Sequence, residues 1–266
     1  MPLFDGRVIA NYDVANDYYQ MDFSWPLTVR APAPGQFFTV RVAETATPLL
    51  RRPFGISGFV PAEAHPADGP ESVASMIYWR RGPATALLAG LEPGDTMGVM
   101  GPLGVGFPAP AHASVPILIA GGVGVGPILF FANTLAAAGH SPVLLLGART
   151  ASSLPRVNVH HHLQIRRATD DGSIGYHGTV VDLLEQTIGV VSGRLELYCC
   201  GPEAMLRSAH ECAERHGLPA WVSMEQTMGC AVGACMGCAV RVHGPDRYAR
   251  VCTEGPVFRS TEIVWE

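Results

Sequence analysis

Hydrophobic and polar positions divide the chain into three stretches with different periods. Up to about residue 108, apolar residues alternate with polar ones in short runs, as in PGQFFTVRV (34–42) and SVASMIYWRRG (72–82). Period-two runs rich in β-branched and aromatic residues predict antiparallel strands with one buried face, arranged as a barrel or a sandwich. The Pro-, Ala- and acid-rich stretch from Pro61 to Pro70 reads as a solvated hairpin tip. From about Ala109 to Ala220 the period changes. VPILIAG (115–121), PVLLLGA (142–148) and LELYCCG (195–201) are apolar runs that predict strands. ILFFANTLAAAG (128–139), VVDLLEQ (180–186) and EAMLRSAHECAERHG (203–217) predict helices, the last ending at Gly217. Strands apolar on both faces, separated by helices, imply a buried parallel sheet. The final piece, from about Trp221 to Glu266, is Gly- and Cys-rich and has too little core to fold without a metal centre or a neighbour. The expected architecture is multidomain: an antiparallel β-barrel (1–108), an α/β parallel-sheet domain (109–220) and a small C-terminal domain (221–266).

Composition narrows the chemistry. All 18 basic residues are Arg, and the chain has no Lys. That excludes Schiff-base and pyridoxal-phosphate lysines, the P-loop and kinase-type phosphate lysines. The net charge of −5 and the scatter of the arginines, never more than two in a row, argue against a nucleic-acid surface. Thirty glycines and 22 prolines, about a fifth of the chain, point to many turns and close backbone approaches. No basic region followed by an apolar stretch opens the chain, so no signal peptide is expected. Ala113 to Gly139 runs for 27 residues without a charge, long enough to span a bilayer, but GGVGVGP interrupts it and a strand–turn–helix fits better than a membrane span. Without export, seven cysteines read as cytoplasmic thiols or metal ligands rather than disulfides.

The most specific motif is Cys230-Ala-Val-Gly-Ala-Cys235-Met-Gly-Cys238, with Cys252 following after 13 intervening residues. The spacing C-x4-C-x2-C…C is that of plant-type [2Fe–2S] ligation. Three thiolates on one Gly-rich loop wrap a compact cluster from one side, and a fourth from a later segment closes it. Zinc sites instead use two paired knuckles, whereas the last cysteine here stands alone. A second motif, Ala120-Gly-Gly-Val-Gly-Val-Gly-Pro127, lies between an apolar strand and a helix and can bring amides against a phosphate. A third is Arg51-Arg52-Pro53-Phe54-Gly55-Ile56-Ser57, where rigid Pro53 can fix a guanidinium toward a phosphate. Other titratable residues read more plainly. The run His160-His161-His162 is a solvated loop, Cys199 and Cys212 are small buried hydrophobes, and Asp170-Asp171 belong to a turn beside Gly172.

Together these stretches resemble the ferredoxin–NADP reductase superfamily, and with the C-terminal cysteines the chain is similar to the electron-transfer subunits of dihydroorotate dehydrogenases. The resemblance rests on LLRRPFGIS (49–57), GPLGVGF (101–107), TDDGSIGYHGTVVDLL (169–184), CCGPEAML (199–206), MGCAVGACMGCAV (228–240) and VCTEGPVF (251–258). It implies an FAD-binding barrel, an NAD-binding α/β domain and a [2Fe–2S] domain. Arg52, Pro53, Phe54 and Gly55 stand where the family's R-P-x-S holds FAD. Ile77, Tyr78 and Trp79 match the strand lining the adenine and ribityl side, and Gly82, Ala84 and Thr85 match the G-x-G-T that binds the pyrophosphate. Gly122, Gly124 and Gly126 would bind NAD(H), with Cys200, Gly201, Pro202 and Met205 beside the nicotinamide. Cys230, Cys235, Cys238 and Cys252 would hold the cluster.

Two positions depart from the family: Gly55 replaces the serine beside the flavin, and Ala84 replaces the second glycine of G-x-G-T. The implied partner is a dihydroorotate dehydrogenase catalytic subunit carrying FMN, in a heterotetramer serving pyrimidine biosynthesis. Electrons would pass from dihydroorotate through FMN, [2Fe–2S] and FAD to NAD+, with the acid–base step on the partner. A related NAD(P)H-dependent reductase subunit, serving a hydrogenase or a ferredoxin-linked transhydrogenase, is the alternative. A zinc-stabilised binding module is the reading from another class. After the second strand of the α/β part, Gly147-Ala148-Arg149-Thr150 offers no acidic residue to select NAD; the family favours NAD.

Overall fold

The computed structural model describes every residue except 43–47, 65–70, 162 and 246. Most of the expected hairpin tip at 61–70, and His162 of the histidine run, lie outside the described residues. Six strands, β1 (Leu3–Ala15), β2 (Tyr18–Trp25), β3 (Phe37–Arg41), β4 (Arg52–Val60), β5 (Ser72–Trp79) and β6 (Thr96–Leu103), close into an antiparallel barrel of order β1-β2-β5-β4-β3-β6. The alternating residues point inward: Phe23, Trp25, Phe38, Ile56, Met76 and Val99 are solvent-free. A short helix, α1 (Pro83–Ala89), precedes β6. Asn11 straps it to the barrel, its amide donating to the carbonyls of Leu88 and Leu91 (2.9 Å each) while its oxygen accepts from Tyr78 (2.9 Å).

The second sheet follows as β7 (Ser114–Gly121), α2 (Val125–Ala137), β8 (Val143–Ala148), β9 (Gln164–Thr169), β10 (Tyr176–His177), α3 (Val180–Val190), β11 (Arg194–Cys200), α4 (Glu203–His216) and β12 (Ala220–Ser223). The C-terminal segment adds a hairpin, β13 (Ala239–Arg241) and β14 (Tyr248–Arg250), and then β15 (Val257–Arg259). The sheet order is β10-β9-β8-β7-β11-β12-β15, parallel except for β15. Its apolar runs are apolar because both faces are covered. Leu118, Leu144 and Tyr198 meet Ile128, Phe131 and Leu135 of α2, while Ile117, Leu145 and Leu197 meet Leu184 of α3 and Leu206 of α4. Each fully buried aliphatic contributes about 1.5–3 kcal/mol. Gly217 ends α4 in the left-handed conformation (φ 62°), which glycine adopts freely.

The C-terminal segment is not a separate globule. Trp221 of β12 pairs with Arg259 of β15, and Val240, Val251, Phe258 and Ile263 share one apolar cluster with Ile117, Leu197 and the barrel's Phe37 and Leu103. The division expected at 220/221 falls inside β12, whose sheet takes its last strand from beyond the cysteine loop. The division expected at 108/109 falls in the linker between β6 and β7. No helix among the described residues is long and apolar enough to cross a membrane.

Candidate cofactor seam and cysteine centre

The barrel meets the parallel sheet along a seam at the carboxyl ends of β7 and β11. After β7 the chain makes a tight 3₁₀ turn, Gly122–Gly124, and enters α2. A Cβ on Gly124 would stand 2.1 Å from the Cys200 carbonyl oxygen and 2.7 Å from the Gly201 nitrogen, so the turn lies backbone against backbone on the end of β11. On its other side, a Cβ on Gly126 would stand 3.3 Å from Ser57 Cβ and 3.7 Å from Ile77 Cβ. Gly122 takes a positive φ of 57° and faces only the Tyr18 hydroxyl, 3.6 Å from where its Cβ would be. Met205 fills the gap between the two elements, its sulfur 2.7 Å from the Cβ position of Gly121 and 3.0 Å from that of Gly201. Pro202, exposed, leads into α4. Gly122, Gly124, Gly126, Cys200, Gly201, Pro202 and Met205 are thus gathered in one place. Burial pushes the Cys200 thiol up to about 12, with Ser223 within hydrogen-bond reach, so Cys200 is a neutral wall rather than a nucleophile.

On the barrel side, β5 alternates. Ile77 packs with Val125 and Ala120 of the sheet domain, and Trp79 stacks on Tyr18 (6.0 Å, 5°). Tyr78 points the other way, into the barrel, where burial raises its pKa and its hydroxyl donates to Asn11 Oδ1. Of the three expected lining residues, only Ile77 and Trp79 turn their side chains outward. Beyond β5, Arg80 donates twice to Asp17 (2.7 and 3.2 Å), and the Arg81 guanidinium lies 5.1 Å from the centre of the Trp79 ring. Gly82 precedes α1 with open space around its Cβ position. Thr85 accepts from the amides of Arg81 (2.9 Å) and Gly82 (3.0 Å), whereas Ala84 is buried beneath the helix.

Along β4, Arg52 donates to the Leu50 carbonyl (2.6 Å), Pro53 pairs in register with Thr39, and Phe54 packs edge-on to Tyr78 (6.1 Å). A Cβ on Gly55 would stand 2.5 Å from Pro127 Cγ. The seam therefore accounts for the glycine where the family motif has serine: α2 begins against that spot.

The four C-terminal cysteines converge on one loop. Cys235 is exposed, Cys230 half-buried, and Cys238 and Cys252 are each 2% exposed. Cys230 Sγ accepts from the amides of Val232 and Cys235 (3.4 Å each), and Cys235 Sγ from that of Gly237 (3.4 Å). Ala231 (φ 58°), Gly233 (φ 79°) and Met236 (φ 59°) adopt left-handed conformations that curl this loop tightly around the sulfurs. The amides of Val232 and then Cys235 draw the Cys230 pKa down to about 6. Burial pushes Cys252 up to about 11, and its hydrogen bond with Cys238 adds to that. Cys235 lies within hydrogen-bond reach of Cys230, and Cys238 within reach of Cys252. Among the described residues, no three of these sulfurs lie within 4.8 Å of one another. Arg250 donates to the Gly233 carbonyl (2.9 Å) and is itself held by Glu254, which braces the loop from behind.

Residues 225–264, spanning all four cysteines, match the iron–sulfur cluster binding domain of dihydroorotate dehydrogenase B. Over 268 residues the chain is 38% identical to the dihydroorotate dehydrogenase B (NAD(+)) electron transfer subunit of Desulforamulus reducens, covering 99% of each. The chain belongs to the family of dihydroorotate dehydrogenase B electron-transfer subunits. Another member of the family, from Bacillus caldolyticus, is 40% identical over 260 residues, 94% of each chain. Among solved structures, an NADH-dependent reduced ferredoxin-NADP oxidoreductase, described for flavin-based electron bifurcation, superposes with a TM-score of 0.82 and 27% identity, covering 98% of this chain and 90% of that one. Phthalate dioxygenase reductase, at 17% identity and a TM-score of 0.61, shares the fold.

Sequence reasoning missed Tyr18 and Ser223, and took Pro127 only as the end of the glycine-rich motif. Tyr18 stacks on Trp79 and reaches Gly122, Pro127 occupies the space beside Gly55, and Ser223 meets Cys200. The aromatic pair Tyr18-Tyr19 on an alternating strand was the one local signal for the first. The other two are contacts between segments far apart in the chain.

Proposed function

We propose that the chain is the electron-transfer subunit of a dihydroorotate dehydrogenase that uses NAD+, working with a separate catalytic subunit that carries FMN. When bound, FAD supplies two-electron exchange with NAD(H) and one-electron exchange with a [2Fe–2S] cluster. The observation that carries this reading is the set Cys230, Cys235, Cys238 and Cys252, with C-x4-C-x2-C…C spacing, inside a segment that matches an iron–sulfur cluster binding domain. That spacing is the one that holds a [2Fe–2S] cluster, whereas zinc sites use two paired knuckles. Cys230, Cys235, Cys238 and Cys252 would hold the cluster, and the exposed Cys235 marks the side open to a partner.

FAD fits the seam. Arg52, Pro53 and Gly55 would line it from β4, and Ile77 and Trp79 from β5. The open space at Gly82 and the hydroxyl of Thr85 would receive the pyrophosphate. Phe54, Tyr78 and Ala84 would serve through their backbones, because their side chains face inward. Gly122, Gly124 and Gly126, with Cys200, Gly201, Pro202 and Met205, would shape the NAD(H) site. With no Lys, the phosphates are left to Arg, hydroxyls and amides. NAD is preferred over NADP, the assembly is a heterotetramer with two copies of each subunit, and its location is the cytoplasm, where cysteines stay reduced.

The purified protein should be yellow-brown, with about one FAD and about two irons per chain. Mixed with the catalytic subunit, it should support dihydroorotate-dependent NAD+ reduction. A colourless, zinc-loaded protein would sink the redox reading. The 27% identical oxidoreductase favours a second one, a related reductase subunit serving another partner such as a hydrogenase or a ferredoxin-linked transhydrogenase. Flavin and cluster without dihydroorotate-dependent turnover would select it.

A further inference from the structure

On the outer face of the parallel sheet, α3 and α4 bring together three side chains with no part in the seam. Cys212 and His216 stand four residues apart on α4, hence on one helix face, and Glu185 reaches them from α3. The Cys212 sulfur, a His216 ring nitrogen and a Glu185 carboxylate oxygen all lie within 4.8 Å of one another. Among the described residues this is the one group of three such donors. His216 Nε2 is 2.6 Å from Glu185 Oε2, and the Cys212 thiol hydrogen-bonds the same carboxylate. Arg215 takes the other carboxylate oxygen and fixes its orientation.

We propose that Glu185, Cys212 and His216 form a divalent transition-metal site, with zinc as the best match to a thiolate, an imidazole and a carboxylate. The fourth position opens to water, because the His216 and Glu185 side chains are 38% and 35% exposed and Cys212 forms the floor. Donors sharing one zinc stand roughly 3.3–3.8 Å apart, so His216 and Glu185 need only part slightly, by rotation of exposed side chains. The thiol proton leaves for solvent as the ion enters, while the neutral imidazole ligates through Nε2 with its proton on Nδ1. An ion here ties α3 to α4 near the C-terminal end of α4, away from the seam at its N-terminal end. Arg215 plays the part that outer hydrogen-bond partners play for a ligating carboxylate.

The experiment loads the purified holoprotein with zinc sulfate, removes the excess, and measures zinc and iron together, with zinc-edge X-ray absorption for the ligand set. The expected result is about one zinc per chain with iron unchanged, one sulfur and the remaining neighbours nitrogen or oxygen. His216→Ala, a change at an exposed position, should weaken zinc binding about tenfold or more and abolish any zinc-induced rise in Tm. Cys212→Ala should remove the sulfur signal. Zinc bound equally by wild type and His216→Ala, zinc surrounded by three or four sulfurs at the expense of iron, or no retained zinc would each overturn the proposal.

Discussion

Restoring a serine at Gly55 tests how the barrel is fitted to the parallel sheet. The added Cβ would lie 2.5 Å from Cγ and 3.2 Å from Cδ of Pro127. Carbon atoms in favourable contact stand about 3.5–4.0 Å apart, so roughly 1 Å must be found. The proline ring cannot rotate away, and it sits in the first turn of α2, whose residues Ile128 and Phe131 are locked into the sheet core. Either β4 or the whole helix has to move. Overpacking of this kind costs about 1–3 kcal/mol, and for a chain of this size about 2 kcal/mol corresponds to a fall in Tm of roughly 4–8 °C.

A double-mutant cycle isolates the contact. Pro127→Ala removes the obstructing ring and carries its own packing loss, so Gly55→Ser should cost much less in that background. The coupling should favour the double variant by about 1 kcal/mol or more. Urea unfolding of the holoprotein, followed by circular dichroism and by flavin fluorescence, gives the four free energies. Additive effects, or a Gly55→Ser protein as stable as the wild type, would refute the claim that Pro127 excludes a side chain at residue 55.

Gly124→Ala should be more damaging, since its Cβ would meet the Cys200 backbone at 2.1 Å; a loss of about 3 kcal/mol and a raised KM for NADH are expected. Gly189→Ala on exposed α3, with nothing within 4 Å, should instead stabilise by about 0.5–1 kcal/mol, and equal effects in the two melts would refute the packing argument. Asn11→Ala strands the Leu88 and Leu91 carbonyls and the Tyr78 hydroxyl. It should cost about 2–3 kcal/mol in urea unfolding, and a loss well under that would mean α1 is held by other contacts. Cys235→Ser should lose the cluster absorption and partner-linked turnover while NADH oxidation by a flavin-level dye survives; loss of both would overturn the separation of the two centres. Arg215, then His216, hold Glu185 at about 2, and Arg250 holds Glu254 at about 2, both below the usual 4.5. Their stabilisation is present above pH 4.5 and fades as pH falls toward 2. Arg215→Gln and Arg250→Gln should each flatten part of the acid slope of Tm, and unchanged slopes would rule these pairs out.

The parts of the fold legible in the sequence are those whose burial is written locally. β7, β8 and β11 carry near-continuous apolar runs because helices cover both faces, interrupted only by Ser114, Arg194 and Glu196, and α4 shows its apolar stripe and its Gly217 stop. β9 was not legible: QIRRAT carries two arginines, and its only further neighbour is the two-residue β10. β12 and β15, of four and three residues, are too short to show a period and become strands only by joining the existing sheet. The cysteine set was legible because three of its members sit in one loop and the fourth in the turn that follows β14. The seam was legible in its glycines but not in what they pack against. The inward turn of the Tyr78 side chain was legible too: period-two alternation puts it on the face opposite Ile77 and Trp79. The departure at Gly55 looked like a missing hydroxyl, while its cause is Pro127, 72 positions on and invisible to any local pattern.

The same contrast shows in how the three expected domains pack against one another. An electron-transfer chain works only if its centres keep fixed separations, and flexible linkers would not hold them. Here the separation is set by a knot of backbone contacts where barrel, linker and cysteine segment cross. Val105 bridges to Pro256, its amide donating to the Gly255 carbonyl, and a Cβ on Gly104 would stand 2.6 Å from Pro256 Cδ and 3.0 Å from the Phe37 ring. Directly after Pro256, β15 pairs with β12, and Phe37, Leu197 and Phe258 share one core. A chain cut after Ala220 would lose most of β12 and all of β15, exposing the edge of β11 and the apolar face that Phe258 and Ile263 cover. The cysteine segment in turn lacks a core without the sheet. Each therefore supplies the surface that the other needs to fold, and the distance from the cysteines to the seam follows from that mutual burial.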